Sequence, residues 1–436
     1  MSESPTGDEA VFEGPLDEID LTDASVWEQA APHAWFNRLR RDDPVHWHEE
    51  PGGPGFWAIT RHEDVRQIST DPEVFSSWVG GPLRLDPAPE VLEQLRMVII
   101  GMDPPDHRTF RTLVSKAFTP KVISRIEPAL RVEARSVVDQ LRQGTSCDFV
   151  PDVAARIPMW SISELMGVPE ADRHRLYELS HSLIDDQDPE IAPTPETSAM
   201  ASIEIFSYTT EMAERSRAGQ ADDLTRALLE AEVDGRALTD LEFSLFFIFL
   251  IVAGNETTRT ATSHGLITLV EHPDQLQRLR EDPSLIPGAV DEILRWQPPI
   301  HHFRRTATRD TEVGGQAIAA GEKVLLWYAS ANRDETLFDD PHRFRIDRSP
   351  NPQLSFGIGE HFCLGANLAR LSLRVVLEEL LAAIDDIEIT APPRRLHSNL
   401  INGVKELQIS YRPATDPEAA PTSTGLRGPT GDMRVG

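Results

Sequence analysis

Residues 243–252 read Phe-Ser-Leu-Phe-Phe-Ile-Phe-Leu-Ile-Val. A helix written in these residues has almost no polar side, so it must be buried on most of its circumference. The longest unbroken apolar run, Leu245 to Ala253, falls far short of the roughly 20 residues that span a bilayer. At 436 residues, with 40% hydrophobic and 26% charged residues, the chain has the composition of a soluble globular protein. The apolar run then changes abruptly into Ala253-Gly254-Asn255-Glu256-Thr257-Thr258-Arg259. Polar side chains inside a buried helix are costly unless bonded. Glycine weakens such a helix, and a hydroxyl bonding back to a carbonyl bends it. The segment is therefore either a surfacing helix end or capped restart, or a polar centre held inside a buried helix.

The chain has 2 cysteines. Cys147, in Ser146-Cys147-Asp148-Phe149, reads as an inert buried thiol. Cys363 lies in Phe356-Gly357-Ile358-Gly359-Glu360-His361-Phe362-Cys363-Leu364-Gly365, directly before the helix-forming Ala366-Asn367-Leu368-Ala369-Arg370-Leu371. A thiolate at a helix N-terminus is stabilised by unpaired N–H groups and the positive end of the helix dipole. The glycines let the backbone wrap closely around it. Such a cysteine suits a soft-ligand metal, including a haem iron; a nucleophilic role stays open without identified partners. Position 362 is Phe, so the Gly357-x-Gly359 pair does not complete a dinucleotide fingerprint.

Lys+Arg 42 against Asp+Glu 71 gives a net charge of -29, which argues against nucleic acid and anionic membranes as partners. Two cysteines give no disulfide framework, fitting a reducing cytosol, and Met1-Ser2-Glu3-Ser4-Pro5 has no basic or apolar signal region. The expectation is a cytoplasmic protein with no membrane span. Residues 1–15 read as a flexible acidic leader, 16–412 as one folded domain, and 413–436, rich in Pro, Thr, Gly and Ala, as a disordered tail. Val45-His46-Trp47-His48 and Phe56-Trp57-Ala58-Ile59-Thr60, joined by Pro51-Gly52-Gly53-Pro54-Gly55, predict a hairpin. A loop follows from about Ser77 to Glu90, and the pattern is mostly helical from Arg108 to Gly265, with starts at Pro151-Asp152 and Thr239-Asp240. Strand signals return at Val324–Tyr328 and Leu407–Tyr411. The fold class is mainly α with small β-sheets and no internal repeat.

Two further stretches carry charges at helical spacing. Glu292 and Arg295 stand three apart on one helix face, in an apolar setting that ends at Pro298-Pro299. Such a pair is ordinarily a solvated bridge of little value. His107 and Arg111, in Met102-Asp103-Pro104-Pro105-Asp106-His107-Arg108-Thr109-Phe110-Arg111, also share a face.

In this order, the four stretches resemble the cytochrome P450 family from about residue 30 to residue 412. The cysteine loop is similar to F-x-x-G-x-x-x-C-x-G, the polar centre to A/G-G-x-D/E-T-T, and Glu292–Arg295 to E-x-x-R. The resemblance implies the single large P450 domain, with haem b as cofactor and Cys363 as its metal ligand. His107, Arg111, Arg305 and His361 would hold the haem propionates; Arg304 is the alternative to Arg305, which its offset to Asp310 favours. Gly254 would open room for oxygen, and Glu256 and Thr257 would be the catalytic proton relay. The Glu292–Arg295 pair would be structural, completed by Arg343 or Arg348.

The implied reaction is monooxygenation, inserting one atom of O2 into a lipophilic small molecule: hydroxylation of a steroid, branched lipid or terpene-like compound. Electrons derived from NAD(P)H must come from outside, because the chain has neither a dinucleotide fingerprint nor an iron–sulfur cysteine set. The resemblance supplies ferredoxin and ferredoxin reductase as partners of a monomer, docking near Cys363 with Arg108, Lys116 and Arg370 as basic contacts. Within the family, the stretches Val252–Arg259 and Ser330–Glu335 resemble actinobacterial sterol and methyl-branched lipid hydroxylases. Recognition would fall to Trp78–Gly81, Phe246–Ala253, His301–Phe303 and Asn399–Gly403, with His301 and His302 a departure admitting a more polar or carboxylated substrate. The alternatives are a specialised-metabolite P450, a peroxide-driven P450, against which the intact Glu256–Thr257 pair counts, and a haem sensor or carrier without turnover.

Overall fold

A computed structural model describes residues 9–115, 118–184, 188–191, 194–219, 224–233 and 235–414. The chain opens with α1 (Ala24–Gln29) and α2 (His33–Asp42), then the hairpin β1 (Val45–His48) and β2 (Phe56–Ile59), and a short β3 (Phe75–Ser76). Next come α3 (Asp106–Ser115), α4 (Pro120–Leu141), β4 (Ser146–Asp148), α5 (Arg156–Met166), α6 (Glu170–Ile184), α7 (Pro195–Arg217) and α8 (Asp240–Glu271). The chain continues through α9 (Ile286–Trp296), β5 (His302–Ala307), β6 (Lys323–Trp327), α10 (Ala366–Ala383), β7 (Ile384–Ile389) and β8 (Gln408–Pro413). Shorter helices and two-stranded ribbons connect them.

The predicted hairpin forms, pairing Val45 with Ile59 and His48 with Phe56. Its second strand lies parallel to β6, and the five-stranded sheet runs β1-β2-β6-β5-β3. The late strand pairs with β7 and β4 in a second sheet. The region expected to be a loop up to Glu90 instead starts a helix at Pro89–Arg96, since proline at a first helical turn gives up no hydrogen bond.

The apolar run became the centre of the molecule. Helix α8 starts at a capping box: the Thr239 hydroxyl accepts from Glu242 N–H, and the Glu242 carboxylate accepts from Thr239 N–H at 2.8 Å. Phe243, Phe246, Phe247, Leu250 and Ile251 are buried in the largest core cluster with residues of α4, α5 and α10. By length and composition α8 could cross a membrane, but more than half of its most apolar stretch is buried by its neighbours. The helix does not stop or restart at Gly254; it runs on to Glu271 with Asn255, Glu256, Thr258 and Arg259 all buried.

Two domain boundaries need correction. Residues 10–14 do not behave as a leader: Phe12 N–H bonds to Ala34 O at 3.1 Å, Asn37 reaches Ala10 O at 2.7 Å, and the Phe12 ring packs edge-on to Trp35 at 6.4 Å. One aromatic ring in an acidic stretch is enough to dock it. At the other end Pro413 closes β8 opposite Ile384 and Ala414 N–H bonds to Ala383 O at 2.8 Å, two residues into the expected tail; residues 415–436 lie outside the described residues.

The histidines expected in the substrate pocket are placed differently. The His301 ring packs on Trp27 at 4.4 Å and His302 on Trp327 at 4.4 Å, each residue only 1% exposed. Burial, then Arg84, lowers His302 to about 3; burial, then Arg395, lowers His264 to about 3. Both are neutral in the fold and ordinary (6.5) in the unfolded chain. Their contribution to stability is present above that ordinary value and is lost as pH falls toward 3. The urea midpoint should drop with acidity, by about 1 kcal/mol per imidazole from pH 6.5 to about 5.5 and about 1.4 per further unit. His302→Phe should flatten the slope; a midpoint unchanged down to about pH 5 would refute the account.

Candidate active site

The cysteine loop is built by backbone shape first. Gly357 and Gly359 have φ of 66° and 76°, and a Cβ at Gly359 would lie 2.4 Å from Ser69 O, so a side chain fits neither the conformation nor the space. Cys363 N–H bonds to Phe356 O at 2.8 Å, closing the loop on itself, and α10 begins three residues later. Burial pushes the Cys363 thiol up; the N–H groups of Gly365 and Ala366 and the cations Arg111 and Arg370 oppose it. That donor set is what a buried thiolate ligand requires. Cys147 sits in β4, and burial, then the Asp152 and Asp148 carboxylates, lift it to about 12.

Beside Cys363 the four residues expected to hold a dianion converge. The His107 and His361 rings lie 4.4 Å apart. Burial, then Arg111, pushes His107 down to about 4; burial, then Arg305, pushes His361 down to about 2. Among the described residues, both ring nitrogens of His107 are buried without a hydrogen-bond partner, and Arg305, 5% exposed, donates to its neighbour Arg304 O. Glu360, 3.9 Å from His107, belongs to Arg108. His107 and Arg305 are buried and Arg111 and His361 partly buried, with the nearby carboxylate bonded to Arg108; such a set of donors would suit the two propionates of a haem, with Cys363 as the residue that would hold its iron.

Strand alternation separates the two arginines that the sequence left as rivals. Arg305 faces Tyr328 and the histidines; Arg304 points to the other side, where it meets Asp86 at 2.6 Å.

On α8 the Thr257 hydroxyl donates to Ala253 O at 2.8 Å, the back-bond that the segment's composition anticipated. Glu256 is 1% exposed and accepts from Arg259 at 2.5 Å and from the Thr260 hydroxyl at 3.3 Å. The acid and alcohol are adjacent in sequence but bonded to different groups. At Gly254 a Cβ would stand 3.3 Å from Ile162, so its small size lets α8 pack on α5. Sequence reading missed Arg259, although Glu256–Arg259 has the same spacing of three as Glu292–Arg295 and could have been found by it.

The second pair is fully buried. Arg295 Nε and Nη2 donate to the two Glu292 oxygens at 2.8 Å each, and Arg295 Nη1 donates to Asn332 O and Pro341 O. Arg348 completes it, with Nε 3.1 and 3.0 Å from the same carboxylate; Arg343 contributes only its carbonyl. Arg345 N–H and Asn351 Nδ2 fill the remaining sites. From there Asn332 Oδ1 accepts from Leu354 N–H, and Ser355 Oγ donates to Leu294 O, fixing the strand of chain that enters the cysteine loop.

Of the basic residues expected on the docking face, Arg108 is paired with Glu360, and Arg370 with Asp291 at 2.9 Å. Lys116 lies outside the described residues.

The chain is similar to known proteins over most of its length. A family model described as Cytochrome P450 matches residues 193–385. A steroid C26-monooxygenase of Mycolicibacterium smegmatis is 38% identical over 404 residues, covering 90% of this chain and 94% of that one. A methyl-branched lipid omega-hydroxylase of Mycobacterium bovis is 41% identical over 412 residues, 92% and 96% of the two chains. Among solved structures, a Mycobacterium marinum cytochrome P450 in complex with pseudoionone superposes with a TM-score of 0.85 at 39% identity, covering 91% of this chain and 99% of that one. With its cysteine loop, polar central helix and buried glutamate–arginine pair carried on that fold, the chain belongs to the cytochrome P450 family of monooxygenases.

Proposed function

We propose that the protein hydroxylates a steroid-sized or methyl-branched lipid, with haem b held by Cys363 and electrons delivered by a ferredoxin and its reductase to a cytoplasmic monomer. The observation that carries this reading is the gathering of His107, Arg111, Arg305 and His361 beside Cys363, with the nearby Glu360 carboxylate taken up by Arg108. When bound, the haem supplies a thiolate-ligated iron that activates dioxygen for insertion of one oxygen atom into a C–H bond. Arg111 and Arg305 would supply the positive charge, and His107 and His361 neutral N–H donors, that bind and orient its propionates. Phe356 O and the glycine turns keep the Cys363 side chain in one direction. Thr257 holds a proton donor at the pocket wall, and Glu256 is the buried carboxyl from which protons reach it. The apolar central helix excludes bulk water.

The substrate class rests on the named activities of the relatives and on the apolar, partly exposed Phe249, Val252 and Phe303 in the segments expected to recognise substrate. The test has two parts. A spin-state titration should respond to steroids and branched lipids and not to short dicarboxylates. In a reconstituted system with ferredoxin and reductase, Thr257→Ala should bind substrate as before but release hydrogen peroxide in place of most of the organic product. Glu256→Gln should mainly slow turnover, by about 10-fold or more. Normal coupling and rate in both variants would place the proton route elsewhere.

A further inference from the structure

Segment 78–91 is built inside out. Among the described residues, Trp78, Val79, Leu83, Leu85 and Val91 are large apolar side chains left exposed within this one short stretch. The charged side chains beside them turn the other way. Between exposed Leu83 and Leu85, Arg84 points inward and bonds to Glu50 at 2.8 Å, with only 13% and 1% of the two side chains exposed. Arg304 and Lys323, both buried, hold the segment through Asp86 at 2.6 and 3.3 Å. Gly80 permits that approach, because a Cβ there would collide with the Arg304 guanidinium. The backbone is pinned as well. Trp78 N–H and Val79 N–H donate to the Ser76 hydroxyl at 3.0 Å each, and Arg304 N–H donates to Pro82 O at 2.8 Å. The helix that follows, Pro89–Arg96, has no buried residue, and its one cation, Arg96, folds back over the Trp78 ring at 5.0 Å.

A pinned loop that keeps its cations inside and its apolar side chains outside presents those side chains to a partner. Charge decides which partner. The groups left at the edge are carboxylates: Glu90 is exposed, and the side chains of Asp86 and Glu93 are 53% and 71% exposed. The chain as a whole carries -29. An anionic surface, or the same face of a second copy, would meet these carboxylates with like charge. A lipid surface of zero net charge takes up apolar side chains without that repulsion. We propose that segment 78–91 docks on a lipid surface of zero net charge, into which Trp78, Val79, Leu83, Leu85 and Val91 insert. That such a lipid phase also delivers the substrate rests on the lipophilic-substrate reading above; the contact itself does not.

The test uses the haem-loaded enzyme and phosphatidylcholine vesicles that contain no substrate. The parent should float with the vesicles, and replacing part of the lipid with phosphatidylglycerol should lower the bound fraction. Leu85→Glu combined with Val91→Glu should weaken partition at least about 10-fold, because each change removes apolar area from the contact and adds a charge to it. Both side chains are exposed, so haem content and the ferrous–CO band should stay within about twofold of the parent. With lipid substrate supplied from cyclodextrin, KM should be unchanged in the double variant; with the same substrate dissolved in vesicles it should rise about 3- to 10-fold at constant kcat. A parent that does not float, floats better on phosphatidylglycerol, or floats no better than the double variant would overturn the contact. A concentration-dependent dimer abolished in the double variant, without vesicle binding, would give the face to a second copy instead. Vesicle binding lost in the double variant, with no steroid or branched lipid oxidised by either protein, would keep the contact and overturn the substrate reading.

Discussion

Replacing Cys363 with alanine removes the long-wavelength ferrous–CO band of a thiolate-ligated haem completely, while Cys147→Ala leaves that band at full intensity. The expectation follows from two contrasting environments in one chain. Around Cys363, burial is opposed by two backbone N–H groups and two arginines, and the loop hydrogen bond to Phe356 O fixes the side chain's direction. Around Cys147 the neighbouring charges are carboxylates and the thiol is lifted to about 12, so it stays protonated and offers no thiolate. Cys363→His is the sharper variant, because imidazole can bind iron without the electron push of sulfur. It should retain part of the haem, show a histidine-type band and give no hydroxylated product. A thiolate-type band surviving in Cys363→Ala would sink the assignment.

The second large effect is expected at Glu292. Its carboxylate is 0% exposed and receives Arg295, Arg348, Asn351 and the Arg345 N–H. Removing one partner of a buried pair costs about 3–5 kcal/mol, chiefly because the other charge is left buried and unpaired. Here two arginines would be left so, against a total stability of about 5–15 kcal/mol for a native domain. Glu292→Ala should therefore yield little folded, haem-containing protein, and the same should hold for Arg295→Ala. Arg348→Ala should be strongly destabilising too. Arg343→Ala should be nearly neutral, since that side chain is exposed and only its backbone carbonyl is used. Haem content per chain and the melting temperature decide it: a Glu292→Ala protein with full haem and a melting temperature within about 2 °C of the parent would show the cluster to be dispensable. Because Ser355 and Leu354 bond to Leu294 and Asn332 next to this cluster, damage at Glu292 is expected to reach the cysteine loop.

Much of this was legible before any coordinate. A helix with no polar side can only be central, and the run at 243–252 is central. Alternation at Val45–His48 and Phe56–Ile59 and the Pro/Gly turn between them specified the hairpin. Residue type, spacing and order placed Cys363, Glu256–Thr257, Glu292–Arg295 and His107–Arg111 on the right elements. The failures were of another kind. Residues 10–14 looked like a polar leader because their docking depends on Trp35 and Asn37 lying opposite. Nothing local to the His301–His302 dipeptide says that Trp27 and Trp327 will lie against the two rings.

Local chemistry and periodicity belong to the sequence: which segment must be buried, which cysteine can be a ligand, which acid and base share a helix face. These follow from interactions within a few residues, where covalent spacing sets the geometry. Partner choice across the chain belonged to the tertiary structure alone. Arg348 over Arg343 was decided by which arginine points at a carboxylate 56 residues away, and the tether of Arg259 to Tyr177 spans 82 residues. The same holds for Gly254, whose missing Cβ faces Ile162. Such contacts are fixed by how buried surfaces pack, and a side chain's direction is known only once the helix opposite it is in place.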